Sequence, residues 1–153
     1  MIIGIDGNEA NVQKRVGVSV YTNNLLHYFN KWAKNDTQFV IYLKNKPLPD
    51  LPAENSFFRY EVVPGRFFWS QIFLPLRLYR DKAVDVFFSP AHYGPRFSPV
   101  PLVVTVHDLS YVFFPGEFLK KDRYARIVCF LASCYVFYIP WSVIPCINFL
   151  NEV

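Results

Sequence analysis

The sequence predicts an α/β fold, a mostly parallel sheet covered by helices on both faces. Short apolar runs of strand length recur along the chain. Amphipathic stretches of helical period separate several of them. The runs end in polar residues, as strands do where the carboxyl edge of an open parallel sheet faces a ligand crevice.

The first strand is Ile2-Ile-Gly-Ile-Asp6, followed by a loop from Gly7 to Gly17. Val18, Tyr21, Leu25, Tyr28, Phe29 and Trp32 then recur at helical spacing, with Asn24, Lys31, Lys34 and Asn35 between and beyond them. This is the pattern of a helix half-buried on a sheet. Gln38 to Leu43 reads as a buried strand. Pro47, Pro49 and Pro52 then disfavour both helix and ladder pairing. Phe57 to Val63 alternates as a third strand and is closed by Pro64-Gly65. Arg66 to Arg80 reads as a second helix with an apolar stripe of Trp69, Ile72, Phe73, Leu76 and Tyr79, kinked or shortened by Pro75. Val84 to Phe88 and Leu102 to Val106 are the fourth and fifth strands, giving the order β-α-β-β-α-β-β.

The chain has 153 residues, one domain's worth. Its net charge of +4 is scattered among aromatics and acids rather than gathered in a basic stripe, so nucleic acid is not an expected partner. The N-terminus has no basic region and meets an acid at Asp6, unlike a signal peptide. The three cysteines, Cys129, Cys134 and Cys146, have neither metal-ligand spacing nor an even count, which fits a reducing, cytoplasmic setting. Residues 1–126 form the predicted domain. Residues 127–153 form a separate tail, uncharged from Ile127 to Asn151 and broken by Pro140 and Pro145.

The candidate site begins with His107 and Asp108, at the end of the fifth apolar run. The imidazole can donate to a hydroxyl or stabilise charge near a reacting carbon, and the carboxylate can orient it or accept from a hydroxyl. The structural alternative is that Asp108 caps a turn and His107 fills the crevice edge. Gly17 precedes a helix whose N-terminus can receive a phosphate, though a single glycine also suits a plain turn. Glu9 lies on a loop expected to overhang the crevice, and His92 follows the fourth strand. Asp6 and Asp85 are read as caps or loop anchors and His27 as a solvated helix residue. No metal cluster, nucleophile elbow or carboxylate pair on one element occurs.

Taken together, Gly4-Ile-Asp6, Gly17-Val-Ser-Val-Tyr-Thr-Asn-Asn-Leu-Leu26, Trp69-Ser-Gln-Ile-Phe-Leu-Pro75, Asp85-Val-Phe-Phe-Ser-Pro90, Val103-Val-Thr-Val-His-Asp-Leu109 and Phe114-Pro115 form an ordered set. The set resembles the N-terminal domain of the retaining GT-B glycosyltransferases of family 4, also called glycosyl transferases group 1. The likeness runs from Met1 to about Arg126. It implies a Rossmann-like domain that forms the acceptor-side wall of a two-domain cleft. By resemblance, Gly17 lies near the diphosphate of a nucleotide-sugar donor and His107 near the transferred hexose, and many relatives transfer mannose or another hexose. Glu9 and His92 are then expected on the acceptor side, with a glycan or lipid-linked acceptor, no metal and no cofactor.

The chain departs from the family in lacking the donor-binding domain and in the sequence after Arg126, and a truncated or frame-shifted gene accounts for both. The domain alone is therefore expected to be inactive. Two other readings compete with this one. In the first, the chain is a membrane-anchored binding or interaction module held by Ile127 to Leu150, whose length and apolar character suit a span. In the second, it is a complete single-domain nucleotide-binding protein, against which stands the absence of a strong phosphate loop. The expected location is the cytoplasm, peripheral to the inner membrane. A membrane surface is a further expected partner, because Phe67, Phe68, Trp69 and Phe73 adjoin Arg66, Arg77, Arg80 and Lys82.

Overall fold

A computed structural model describes residues 1–81, 84–91 and 94–107 of the chain. The expectations for His92, Lys82, Asp108, the stretch up to Arg126 and the tail 127–153 lie outside the described residues.

The described residues form one five-stranded sheet in the order β3-β2-β1-β4-β5, parallel at every pairing. Its strands are β1 (Ile2–Asp6), β2 (Gln38–Leu43), β3 (Phe58–Val62), β4 (Val86–Ser89) and β5 (Leu102–Val104), and its helices are α1 (Val18–Trp32) and α2 (Phe73–Asp81). The fold is α/β and Rossmann-like. The chain winds outward from β1 to β3, then returns to the other side of β1 for β4 and β5. The neighbours β1 and β4 therefore flank the point where the winding reverses, the place where open α/β sheets leave a crevice at their strands' carboxyl ends.

Strand periodicity sorts the core into two layers. Ile5, Phe39, Ile41, Leu43 and Phe58 pack with Leu26 of α1 on one face. Val40, Tyr42, Phe87 and Leu102 pack with Leu74 and Leu78 of α2 on the other. Both faces are dry because right-handed crossovers in opposite directions place α1 and α2 on opposite sides. Each fully buried side chain of this kind contributes about 1.5–3 kcal/mol relative to exposure. At the end of β1 the sheet leaves no room for a side chain, since a Cβ on Gly7 would stand 2.5 Å from Ile41 Cγ2.

The second helix departs from the sequence expectation. It begins at Phe73 rather than Arg66, and residues 66–72 form successive turns. Phe68 adopts φ 55°, a left-handed conformation that cannot continue a right-handed helix. Pro75 consequently falls in the first turn of α2, where its missing N–H costs little, and not in a kinked interior. The buried face also shifts: Leu74, Pro75 and Leu78 face the sheet, whereas Ile72, Leu76 and Tyr79 are exposed. Only Trp69 of the expected stripe is deeply buried. Arg77 then joins α2 to the sheet, with Nη2 donating to Glu61 (2.8 Å) and Nε 2.7 Å from Asp81.

On α1 the fully buried residues are Thr22 and Leu26, and the apolar residues read as its inner face are half-buried or, at Trp32, exposed. His27 is exposed. Asp85 is an anchor, as read: its Oδ2 accepts from Ile2 N at 2.6 Å, while its own N donates to Ile2 O. No helix among the described residues is long and apolar enough to cross a membrane.

Candidate functional site

The β1-to-α1 loop is built from side chains that replace a ladder. Asp6 Oδ1 accepts from Asn8 N (3.1 Å) and Asn8 Nδ2 (2.8 Å), a local turn that sends the chain across the sheet edge. Asn8 Oδ1 accepts in turn from Lys44 N at 2.7 Å, joining the ends of β1 and β2. Asn11 repeats this with the next stretch, accepting from Leu48 N and donating to Lys46 O. Arg15 Nε donates to Ala10 O, and its guanidinium pairs with Asp50. The loop is thus ordered before any ligand arrives.

Asp6 is half-buried, and burial pushes its carboxyl from 3.8 up to about 6. The two hydrogen bonds from Asn8 oppose that shift, and the charge of Glu9 adds to it. Asp6 is therefore both the expected anchor and a group that titrates near neutrality at the carboxyl end of the central strand.

The loop ends at Gly17, which opens α1 with φ 53° and no side-chain cap. A Cβ there would meet nothing within 4 Å, so the glycine answers to backbone conformation and leaves open space above the first turn. Gly17 O accepts from Val20 N and Tyr21 N. Glu9 folds back onto the same turn, its Oε2 accepting from Ser19 Oγ at 3.3 Å.

His107 comes two residues past the last sheet contact, Thr105 N to Ser89 O. Its Nε2 lies 2.7 Å from Pro90 O, just beyond β4. A carbonyl only accepts, so Nε2 carries the proton in this contact and Nδ1 is the basic nitrogen of the neutral ring. The ring meets Tyr21 edge-on, with centroids 5.0 Å apart and planes at 87°. His107 thereby ties the β4 and β5 ends to the first turns of α1. Gly17, Glu9 and His107 all lie on the carboxyl edge of the sheet, Gly17 and His107 being linked through Tyr21 and Glu9 through Ser19.

Tyr21 and Asn8 were not singled out by sequence. Tyr21 shares the apolar period of α1, so nothing in its spacing distinguishes a ring turned toward His107 from a core residue. Asn8 is one of several polar loop residues, and only the Asx pattern of an asparagine two residues after a strand-ending aspartate marks it. Among the described residues no group of three His, Cys, Asp or Glu side chains is placed to hold a metal ion.

No protein-family model matches the chain, and no curated protein or solved structure matches it.

Proposed function

We propose that this domain is the acceptor-side half of a retaining glycosyltransferase that moves a hexose from a nucleotide-sugar to a glycan or lipid-linked acceptor. The observation that carries the reading is the tie from His107 to Pro90 and Tyr21. It sets an imidazole over the reversal point of an all-parallel sheet, above an uncapped helix opened by Gly17. The sequence resemblance is the second support.

In this reading the open turn at Gly17 lies against the donor diphosphate, with the helix N-terminus offsetting its charge. His107, held at Nε2 by Pro90 O and met edge-on by Tyr21, presents its ring beside the transferred hexose. Glu9, held by Ser19, accepts from acceptor hydroxyls. Asp108 and His92 keep the roles read from their positions after apolar runs, Asp108 orienting His107 or accepting from a hydroxyl and His92 on the acceptor side. One Rossmann-like domain supplies one wall of such a cleft, and positioning both substrates is worth about 7–11 kcal/mol of barrier. The domain alone is therefore a weak acceptor binder without turnover.

Calorimetric titration with oligosaccharide and lipid-linked acceptor analogues, beside a transfer assay with a panel of nucleotide-hexoses, tests this. The expected result is saturable acceptor binding that His107→Ala weakens about tenfold, a loss of ~1.4 kcal/mol that exceeds its cost to folding stability. Acceptor binding untouched by both His107→Ala and Glu9→Gln would sink the proposal. So would any reproducible turnover by the wild-type chain above a His107→Ala control.

A further inference from the structure

The turns between β3 and α2 present aromatic side chains to water. Phe67 is 80% exposed and Phe68 73%, although Trp69 beside them is buried, its Nε1 donating to Val63 O at 2.6 Å. Phe68 holds a left-handed φ of 55°, a strained conformation for a bulky residue, and the fold gains no burial of its ring in exchange. A third exposed aromatic is brought alongside from a distant stretch. Gln71 Nε2 donates to Gly94 O (2.9 Å) and Gln71 Oε1 accepts from Arg96 N (3.1 Å), which fixes the 94–97 turn against the 66–72 turns. Phe97, 65% exposed, stands at its tip with the Arg96 guanidinium 5.5 Å from its ring centroid.

The charged residues that adjoin these three rings in the chain are both arginines. Arg66 and Arg96 are exposed, and Lys44 reaches the same turn, donating from Nζ to Arg66 O at 3.0 Å. None of the three is ion-paired among the described residues; the nearby acids Glu61 and Asp81 are both engaged by Arg77.

We propose that Phe67, Phe68 and Phe97, ringed by Lys44, Arg66 and Arg96, are a docking surface for an anionic phospholipid bilayer. Rings enter the headgroup boundary while the long cationic side chains meet lipid phosphates at the same depth. Exposed rings flanked by cations without an ion-pair partner among the described residues complement an anionic, part-apolar headgroup boundary, which favours a lipid surface over a protein partner. Trp69 and Arg77, which the sequence also offered to a membrane, are engaged inside the fold. The inference does not depend on the transfer reaction, since it concerns lipid binding alone.

The test is sedimentation of the full chain with vesicles of phosphatidylcholine alone and of phosphatidylcholine with phosphatidylglycerol. Binding is expected only with the anionic lipid and is expected to fall as salt is raised. Arg66→Gln and Arg96→Gln should each weaken it about fivefold, the equivalent of ~1 kcal/mol per basic residue at such a surface. Phe68→Gly should weaken it about tenfold, the lower end for withdrawing a buried phenyl ring. Its unfolding midpoint should hold, because glycine accepts the positive φ. Equal binding to both vesicle types would overturn the proposal. So would wild-type binding by the Phe68→Gly and Arg66→Gln/Arg96→Gln variants, which would place the attachment elsewhere in the chain. A concentration-dependent dimer abolished by Phe68→Gly would assign the rings to a second copy instead.

Discussion

Two connections leave the same edge of the sheet and are held in opposite ways. The β1-to-α1 loop is pinned by many polar contacts, from Asp6 through Asn8 to Lys44, from Asn11 to Leu48, and from Arg15 to Asp50. The β3-to-α2 turns have one deeply buried aromatic anchor, Trp69, beside the ties from Gln71 and Lys44, and turn two phenyl rings outward. Distributed tethers position small polar groups with redundancy. A buried ring with a few polar ties holds the other connection while its phenyl rings stay exposed.

The largest expected effect therefore lies in the less tethered connection. Trp69→Ala removes a buried indole and its bond to Val63 O, and should cost about 3–5 kcal/mol in denaturant unfolding. A loss below ~1 kcal/mol would mean the turns are held by something other than this ring.

Asp6 gives the next effect, and its sign is opposite. Its carboxyl, near 3.8 unfolded, is pushed to about 6 in the fold, so the folded protein binds the proton more tightly. Stability contributed by Asp6 is thus greatest below about pH 4, declines as pH rises toward 6, and stays low above it. Asp6→Asn keeps an acceptor for Asn8 without the buried charge. It should stabilise the protein above pH 6 by up to ~3 kcal/mol, with the gain vanishing below about pH 4. Urea midpoints across this range that run parallel for the two proteins would show that the carboxylate is well solvated.

Gly17→Ala should cost about 1–3 kcal/mol through backbone strain alone, because φ 53° with ψ −117° suits glycine and the added methyl meets nothing. A cost well beyond this would reveal a crowded helix start. The smallest effect should come from Asp50→Asn, at an exposed surface pair in a loop with several other ties; the thermal midpoint should barely move. A large drop there would show that the polar loop lacks the redundancy ascribed to it.

The fold was legible where periodicity was unambiguous. Ile2 to Asp6, Gln38 to Leu43 and Val18 to Trp32 hold an apolar rhythm over whole elements, and the sheet they form follows from the order of strands and helices. The second helix misled because Phe67, Phe68, Trp69 and Ile72 carry apolar character into a stretch whose backbone turns left-handed at Phe68. Hydrophobicity marks both a core stripe and an exposed aromatic rim, and a single sequence does not separate them. Of the expected site, Gly17, Glu9 and His107 reach one sheet edge, which strand-end position foretold. The contacts that tie them, to Tyr21, Ser19 and Pro90, depend on how distant loops meet, and local spacing carries no trace of that.

Placing the first strand at the centre of the sheet has a consequence for synthesis. Ile2 and Asp85, bonded across β1 and its second neighbour, are 83 residues apart. At ribosomal rates that interval lasts roughly 4–17 s. By its end β1, β2 and β3 make a half-sheet whose open edge is β1, with β4 not yet made. Such a nascent chain is a natural client for holdase chaperones. Slowing translation between β3 and β4 should lower the soluble yield of this protein more than the same delay placed after β5.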